Sequence, residues 1–139
     1  MSIKIEKIDH IGIAVKNLEE RLALWQTVLG AKAEKIEALP ERGVRLALLK
    51  FPHSPTVELV CPLDDQAAVA KFIAERGEGI HHFCFKVENI ESAFEELKNK
   101  GVQFVQDKPY KGAGESRIVF IHPRSLGGVL IELKEEKKP

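Results

Sequence analysis

The sequence predicts an α+β fold built from two tandem βαβββ modules whose curved mixed sheets enclose a cleft. The first observation is a repeated strand pattern, because Ile8–Val15 and Ile80–Val87 both alternate apolar residues with others and carry a histidine near the start. The second is the register of the repeat, since His10 and His82 lie 72 positions apart (82 − 10). The third is that each half ends in a short apolar strand containing one glutamate.

The elements of the first module follow the repeated strand in a simple order. Asn17 is a suitable N-cap for a helix with an apolar stripe, and Gly30 suits its C-terminal end. Apolar runs separated by turn residues then predict three strands, with turns at Pro40–Gly43 and His53–Pro55. The predicted strands are residues 33–39, 44–51 and 56–61.

A connecting helix and a second module complete the chain. Asp64 or Asp65 is a candidate N-cap for the connecting helix. Asn89 and Gly101 then bound a helix, as Asn17 and Gly30 do in the first half. Strands are predicted at residues 102–105, 117–122 and 129–133, with a polar loop at 108–115. The organisation predicted is a single domain, residues 1–139, with modules at about 4–62 and 79–136 and a helical connector at about 63–78.

Composition excludes several functional classes. Lysine and arginine together number 21 and are balanced by 21 aspartate and glutamate residues, so no nucleic-acid or membrane-surface partner is indicated. There is no apolar run of membrane-spanning length and no signal-peptide pattern. Cys61 and Cys84 form no CxxC motif and are expected to be free core residues. We therefore expect a cytoplasmic protein.

Four side chains at repeated strand positions are candidates for chemistry. His10, Glu58, His82 and Glu132 each have the opposite strand parity to the apolar residues beside them. If the apolar faces pack on the helices, these four line the cleft. Two imidazoles and two carboxylates without a thiolate suit divalent manganese, iron, cobalt, nickel or zinc. Any one of the four alone could be structural, and either glutamate alone could face solvent.

At this point the chain resembles the vicinal oxygen chelate superfamily, which has a glyoxalase-like fold, and within it the methylmalonyl-CoA epimerase family. The residues that carry the resemblance span most of the chain. They are Asp9–Val15, Pro40–Val44, Gly79–His82, His122–Pro123 and Gly127–Leu133.

The resemblance implies both a cofactor and a reaction. The cofactor is a divalent metal, Co²⁺ first, with Mn²⁺, Ni²⁺ or Zn²⁺ as alternatives. The reaction is interconversion of (2R)- and (2S)-methylmalonyl-CoA by proton abstraction and return at C2 through a metal-stabilised enolate. By position, His10, His82 and Glu132 match family metal ligands. Glu58 matches a ligand position that is glutamine or glutamate in different members. A homodimer is also expected for this fold.

Inversion needs proton transfer on both faces of the substrate carbon. The repeat offers Glu132 on one side and Glu58 on the other as the catalytic pair. Some family members have another glutamate shortly after the Gly-Val of the third strand, proposed as a base. Leu46 stands at the matching position here and cannot transfer a proton.

Substrate contacts are predicted in the glycine-containing loop that precedes the strand at residues 117–122. Gly114, Ser116 and Arg117 would offer a backbone amide, a hydroxyl and a cation to the substrate carboxylate and the coenzyme A phosphates. A solvated turn is the structural alternative.

Three other functions compete with the epimerase. A glyoxalase I-like lyase acting on a glutathione hemithioacetal also fits a metal held by glutamates. An extradiol dioxygenase fits less well, because two histidines and one carboxylate are its usual ligands. A non-catalytic binding protein of this superfamily typically lacks the four ligands.

Overall fold

The computed structural model describes residues 3–137. Two short 3-10 helices, Pro40–Arg42 and Pro123–Leu126, lie between the longer elements. No helix in the described range is long and apolar enough to span a membrane. The strands and α-helices in chain order are β1 (Ile5–Ala14), α1 (Leu18–Leu29), β2 (Lys32–Leu39), β3 (Val44–Lys50), β4 (Thr56–Pro62), α2 (Ala68–Arg76), β5 (Gly79–Val87), α3 (Ile90–Asn99), β6 (Tyr110–Lys111), β7 (Arg117–Ile121) and β8 (Ile131–Glu135).

The described residues form two compact units. We call residues His10–His81 the first-module unit, and residues 3–9 with 82–137 the second-module unit. The predicted α+β class and the paired βαβββ modules are confirmed. The two compact units do not coincide with the predicted module limits, because α2 belongs to the first and the start of β1 to the second.

The first-module unit has its strands in the order β2-β3-β4-β1. β1 runs parallel to β4, whereas β3 is antiparallel to both β2 and β4. α1 covers one face of this sheet, and Leu18, Leu22, Leu49 and Leu59 are buried in the core between them. Because successive strand residues point to opposite faces, Glu58 lies on the face that α1 leaves open.

The second-module unit repeats this arrangement with its strands in the order β5-β8-β7-β6. β5 is parallel to β8, and β7 is antiparallel to both β8 and β6. Ile90, Phe94, Val119 and Leu133 belong to the core of this unit. Glu132, next to Leu133 in the strand, therefore lies on the face away from that core.

Both predicted boundaries of α1 and the predicted start of α3 are confirmed, whereas α3 ends at Asn99 with Lys100 as its C-cap, one residue before the predicted Gly101. The side chain of Asn17 accepts a hydrogen bond from the backbone amide of Glu20, and that of Asn89 accepts one from Ser92, both at 2.9 Å. Gly30, with φ of 67°, ends α1 in the left-handed region that glycine tolerates best.

Two element predictions are wrong. Neither Asp64 nor Asp65 caps α2, which begins after Ala67 without a side-chain hydrogen bond. Residues 102–105 are not a strand: only an isolated bridge joins Phe104 to Ile121. The second strand of that module is instead β6, inside the predicted loop at 108–115. Such a short strand is fixed by its pairing with β7, a tertiary contact that local pattern does not encode.

Candidate metal centre

The first candidate pair lies on the open face of the first-module unit. β1 carries His10 and β4 carries Glu58, and the parallel register of these strands places Glu58 beside Gly12. The Nε2 atom of His10 is 3.6 Å from Oε2 of Glu58. Each residue is only 5% exposed.

The second pair is formed in the same way in the second-module unit. β5 carries His82 and β8 carries Glu132, which lies beside Cys84 in the parallel register. The Nε2 atom of His82 is 3.1 Å from Oε1 of Glu132, and the residues are 2% and 3% exposed. The His82 ring also meets Phe120 edge to face, with ring centroids 5.7 Å apart.

The two pairs have the same construction. In both, the glutamate stands opposite the residue two positions after the histidine, and both strand pairs are parallel. The structure thus brings together the histidine and glutamate that the sequence repeat predicts for each half.

The chemistry of these pairs fits a divalent cation. A divalent cation would stabilise carboxylates this deeply buried, and imidazole nitrogen with carboxylate oxygen is a ligand set used by several divalent transition metals. The described residues therefore include buried histidine and glutamate side chains that could hold a metal ion.

A buried ion pair lies beside the second His–Glu pair, and sequence reasoning missed it. Lys134 follows Glu132 by two residues, and its Nζ is 3.1 Å from Oδ2 of Asp9. Burial would lower the pKa of Lys134, but the charge of Asp9 and its hydrogen bond, with help from Glu136, raise that pKa above its ordinary value. The only indication of this ion pair in the sequence is that Lys134 has the same strand parity as the candidate ligand Glu132.

The predicted substrate loop is compact and partly buried. Ser116 is 5% exposed, and its hydroxyl donates to the carbonyl of Ala113 at 2.7 Å. The backbone amide of Gly112 donates to the carbonyl of Ser116 at 3.0 Å. A side chain at Gly112 would lie 2.7 Å from Cγ2 of Ile118, so only glycine fits there. The loop is therefore a closed turn packed against β7.

Arg117 lies apart from the other two predicted substrate contacts. Its parity on β7 is opposite to that of Ser116. Its guanidinium pairs with Glu91 and donates to the carbonyl of Pro109 at 3.0 Å. The structure therefore does not bring Arg117 together with Gly114 and Ser116.

Leu46 and the remaining histidines have structural surroundings. Leu46 is 1% exposed and pairs with Glu37 and Val60 in the sheet. His81 packs edge to face against Phe72. Nδ1 of His122 accepts a hydrogen bond from the Arg124 amide.

A family model for the glyoxalase/bleomycin resistance protein/dioxygenase superfamily matches residues 9–120. The chain belongs to this superfamily. The human mitochondrial methylmalonyl-CoA epimerase is 33% identical over 130 residues, which cover 93% of this chain and 73% of that protein. This curated relative confirms the resemblance to methylmalonyl-CoA epimerases.

Solved structures give the same result. The methylmalonyl-CoA epimerase from Mycobacterium tuberculosis is 36% identical, with a TM-score of 0.93 over 99% of this chain and 92% of that one. A methylmalonyl-CoA epimerase in complex with methylmalonyl-CoA and NH₄⁺ is 33% identical, with a TM-score of 0.91 over 96% of both chains. The fold that carries the two His–Glu pairs is therefore that of solved epimerases.

Proposed function

We propose that this enzyme interconverts (2R)- and (2S)-methylmalonyl-CoA by removing and returning the proton at C2. The observation that carries the proposal is the pair of buried His–Glu contacts at equivalent positions, in a chain whose relatives over nearly its full length are epimerases for this substrate.

We further propose that His10, Glu58, His82 and Glu132 together hold one divalent metal ion, with Co²⁺ first and Mn²⁺, Ni²⁺ or Zn²⁺ as alternatives. Support comes from the burial of all four side chains and from their nitrogen and oxygen donor atoms. When bound, such an ion supplies Lewis-acid stabilisation of the enolate oxygens that form on deprotonation.

The two glutamates are the proposed proton carriers. Glu132 would remove or return the C2 proton on one face, and Glu58 on the other. Both carboxylates are buried, so proton transfer at C2 would take place in a site with little water. Leu46 has no group that can carry a proton, so Glu58 is the proposed proton carrier in the first-module unit, with a base at another position as the alternative.

Gly114 and Ser116 are the proposed substrate contacts in the loop before β7. Arg117 completes the predicted set, and its half-exposed guanidinium pairs with Glu91 and donates to the carbonyl of Pro109 in the absence of substrate. The homodimer and the cytoplasmic location stay predictions.

Proton exchange tests the proposed function. Cobalt-loaded protein is incubated with (2R)- or (2S)-methylmalonyl-CoA in deuterated water, and the C2 hydrogen is followed by NMR against spontaneous exchange. We expect metal-dependent deuterium uptake with interconversion of the epimers. Exchange no faster than the spontaneous rate would refute the proposal. The protein would then be assayed with a glutathione hemithioacetal, the substrate expected for a glyoxalase I-like lyase.

A further inference from the structure

Phe120 lies next to both members of the second His–Glu pair. Its ring meets the imidazole of His82 edge to face, with centroids 5.7 Å apart and an angle of 80° between the rings. In the sheet, Phe120 stands directly opposite Glu132. Phe120 is buried, so its ring belongs to the protein surroundings of the pair rather than to the outer surface.

The backbone hydrogen bonds of Phe120 point away from Glu132. Its N–H donates to the side-chain oxygen Oε1 of Gln106 at 2.9 Å, and its carbonyl accepts from the N–H of Val105 at 2.9 Å. In an antiparallel ladder, a residue whose two backbone groups bond along one edge forms a non-hydrogen-bonded pair with its neighbour on the other edge. Such pairs have the closer Cα atoms, about 4.5 Å apart, so the side chains of Phe120 and Glu132 are immediate neighbours.

Gln106 supplies with its side chain what a paired strand would supply with its backbone. Residues 102–105 contribute an isolated bridge to β7, and β6 begins at Tyr110. Between them, Oε1 of Gln106 accepts the Phe120 N–H, and Nε2 of Gln106 donates to the Tyr110 hydroxyl at 3.4 Å. Both ends of the amide are therefore held, and Gln106 secures β7 at the position of Phe120.

Two neighbours limit the rotation of the His82 imidazole. The ring of Phe120 lies against it, and Oε1 of Glu132 is 3.1 Å from its Nε2 atom. Contacts of this kind tune metal affinity, because they hold a ligand in the orientation that coordination requires. A shift of β7 at Phe120 would release one side of the imidazole, and the hydrogen bond from Gln106 opposes that shift.

We propose that Gln106 is a positioning residue for His82, acting through the backbone and the ring of Phe120. The inference rests on the proposed function, because it takes His82 as a ligand of the metal ion. Since Gln106 acts through another residue, its effect should appear in metal affinity and in the orientation of the imidazole.

Four single variants test the assignment. Gln106→Met removes the acceptor and keeps a side chain of similar length, whereas Gln106→Glu keeps an oxygen that can accept the Phe120 N–H. Phe120→Leu removes the ring itself. Gln103→Met makes the same change as Gln106→Met at an exposed glutamine of the same segment and is the matched control.

Two measurements are made on each variant. Co²⁺ affinity is obtained by titration of the metal-free protein. The imidazole signals of His82 are followed by proton–carbon NMR of the metal-free protein and are assigned by their loss in His82→Asn. His53, which lies in a turn of the first-module unit, is the internal reference.

Each variant has a distinct expected pattern. Phe120→Leu should weaken Co²⁺ binding about tenfold and Gln106→Met about three- to tenfold, near the lower end of the effects of outer contacts on metal sites. Both should move the His82 signals, because the aromatic ring is lost or displaced beside the imidazole. Gln106→Glu should bind Co²⁺ within about twofold of the wild type, since its oxygen can replace the acceptor. Gln103→Met should match the wild type.

Three results would overturn the assignment. The first is a Gln106→Met variant with wild-type Co²⁺ affinity and unmoved His82 signals. The second is an equal loss in Gln106→Met and Gln106→Glu, and the third is a loss of the same size in Gln103→Met. These arms decide the matter if Phe120→Leu does not fold.

Failure of the proposed epimerisation would be separate from failure of this assignment. The variants would then show the expected pattern of Co²⁺ affinity while the wild type leaves methylmalonyl-CoA unchanged. The NMR comparison alone decides the role of Gln106 if the wild type does not bind Co²⁺.

Discussion

The two His–Glu pairs are built alike but have different neighbours. In each unit the histidine and glutamate lie on adjacent parallel strands with the same register offset. Val60, which is buried and apolar, follows Glu58 by two residues. At the equivalent place in the other unit, Lys134 follows Glu132 by two residues and is ion-paired with Asp9.

The second strands of the two modules differ as well. β2 has eight residues and pairs along the whole of β3, while β6 has two. The closed turn that follows β6 forms the wall of a cleft beside Lys134. Comparison of the two units teaches that the repeat preserves the candidate ligands, while the strands around them diverge and give the second-module unit a cleft lined by Lys134.

Replacement of Glu132 by glutamine gives the largest expected effect. The change removes the proposed charged ligand and proton carrier while keeping the shape of the side chain. We expect epimerisation to fall by about 10³- to 10⁴-fold, near the upper range for loss of an acid–base group. Rates would be measured with each epimer, together with the metal content of the purified variant. Activity above a tenth of the wild type would contradict both roles.

Glu58→Gln tests whether the first-module unit supplies a second base. We expect a loss of about 10²- to 10³-fold in epimerisation. Deuterium exchange should persist for the epimer whose proton faces Glu132 and be lost for the other. A fully active variant would show that Glu58 is at most a ligand and that the second proton carrier lies elsewhere.

Matched core truncations test whether the units are equally important for stability. Leu59 and Leu133 follow the two glutamates directly and are 0% and 1% exposed. Leu59→Ala and Leu133→Ala should each lower the free energy of unfolding by about 2–5 kcal/mol, through lost burial and a residual cavity. Urea denaturation with a chelator present would measure both. A loss under about 1 kcal/mol at either site would show that its unit is not packed as described.

The smallest expected effect concerns the Asp9–Lys134 pair. Asp9→Asn leaves a mostly buried lysine without its charge partner and should cost about 1–3 kcal/mol of stability at pH 7. Because the pKa of Lys134 is raised in the folded state, its contribution is fully present below the unfolded pKa of about 10.4. It is lost as pH rises through the folded value.

Unfolding of metal-free protein at pH 7, 9 and 11 would check this prediction. The difference between wild type and Asp9→Asn should be constant from pH 7 to 9 and smaller at pH 11. Lys35→Gln, which breaks the exposed Lys35–Glu37 pair of the first-module unit, is the control and should change stability by less than about 0.5 kcal/mol. A gap that grows above pH 10 would contradict the assigned sign.

The sequence by itself determined the parts of this protein that depend on local pattern. Strand alternation placed His10 and His82 opposite the apolar residues of their strands, and the repeat, with 72 positions between the histidines (82 − 10) and 74 between the glutamates (132 − 58), gave each half one histidine and one glutamate. The asparagine caps and Gly30 marked helix ends because capping needs only neighbouring backbone groups. Resemblance then supplied the family, which the relatives confirm.

Tertiary structure alone decided the features that depend on pairing between distant segments. β6 is defined by its pairing with β7, in which Tyr110 lies opposite Ile118, and residues 102–105 form only an isolated bridge, from Phe104 to Ile121. Asp9 and Lys134 are 125 positions apart, so no local pattern could join them. Arg117 pairs with Glu91 of α3, which lies 26 positions earlier in the chain. The contacts of Lys134 and Arg117 join segments that are far apart in the chain, so they form only when the chain folds.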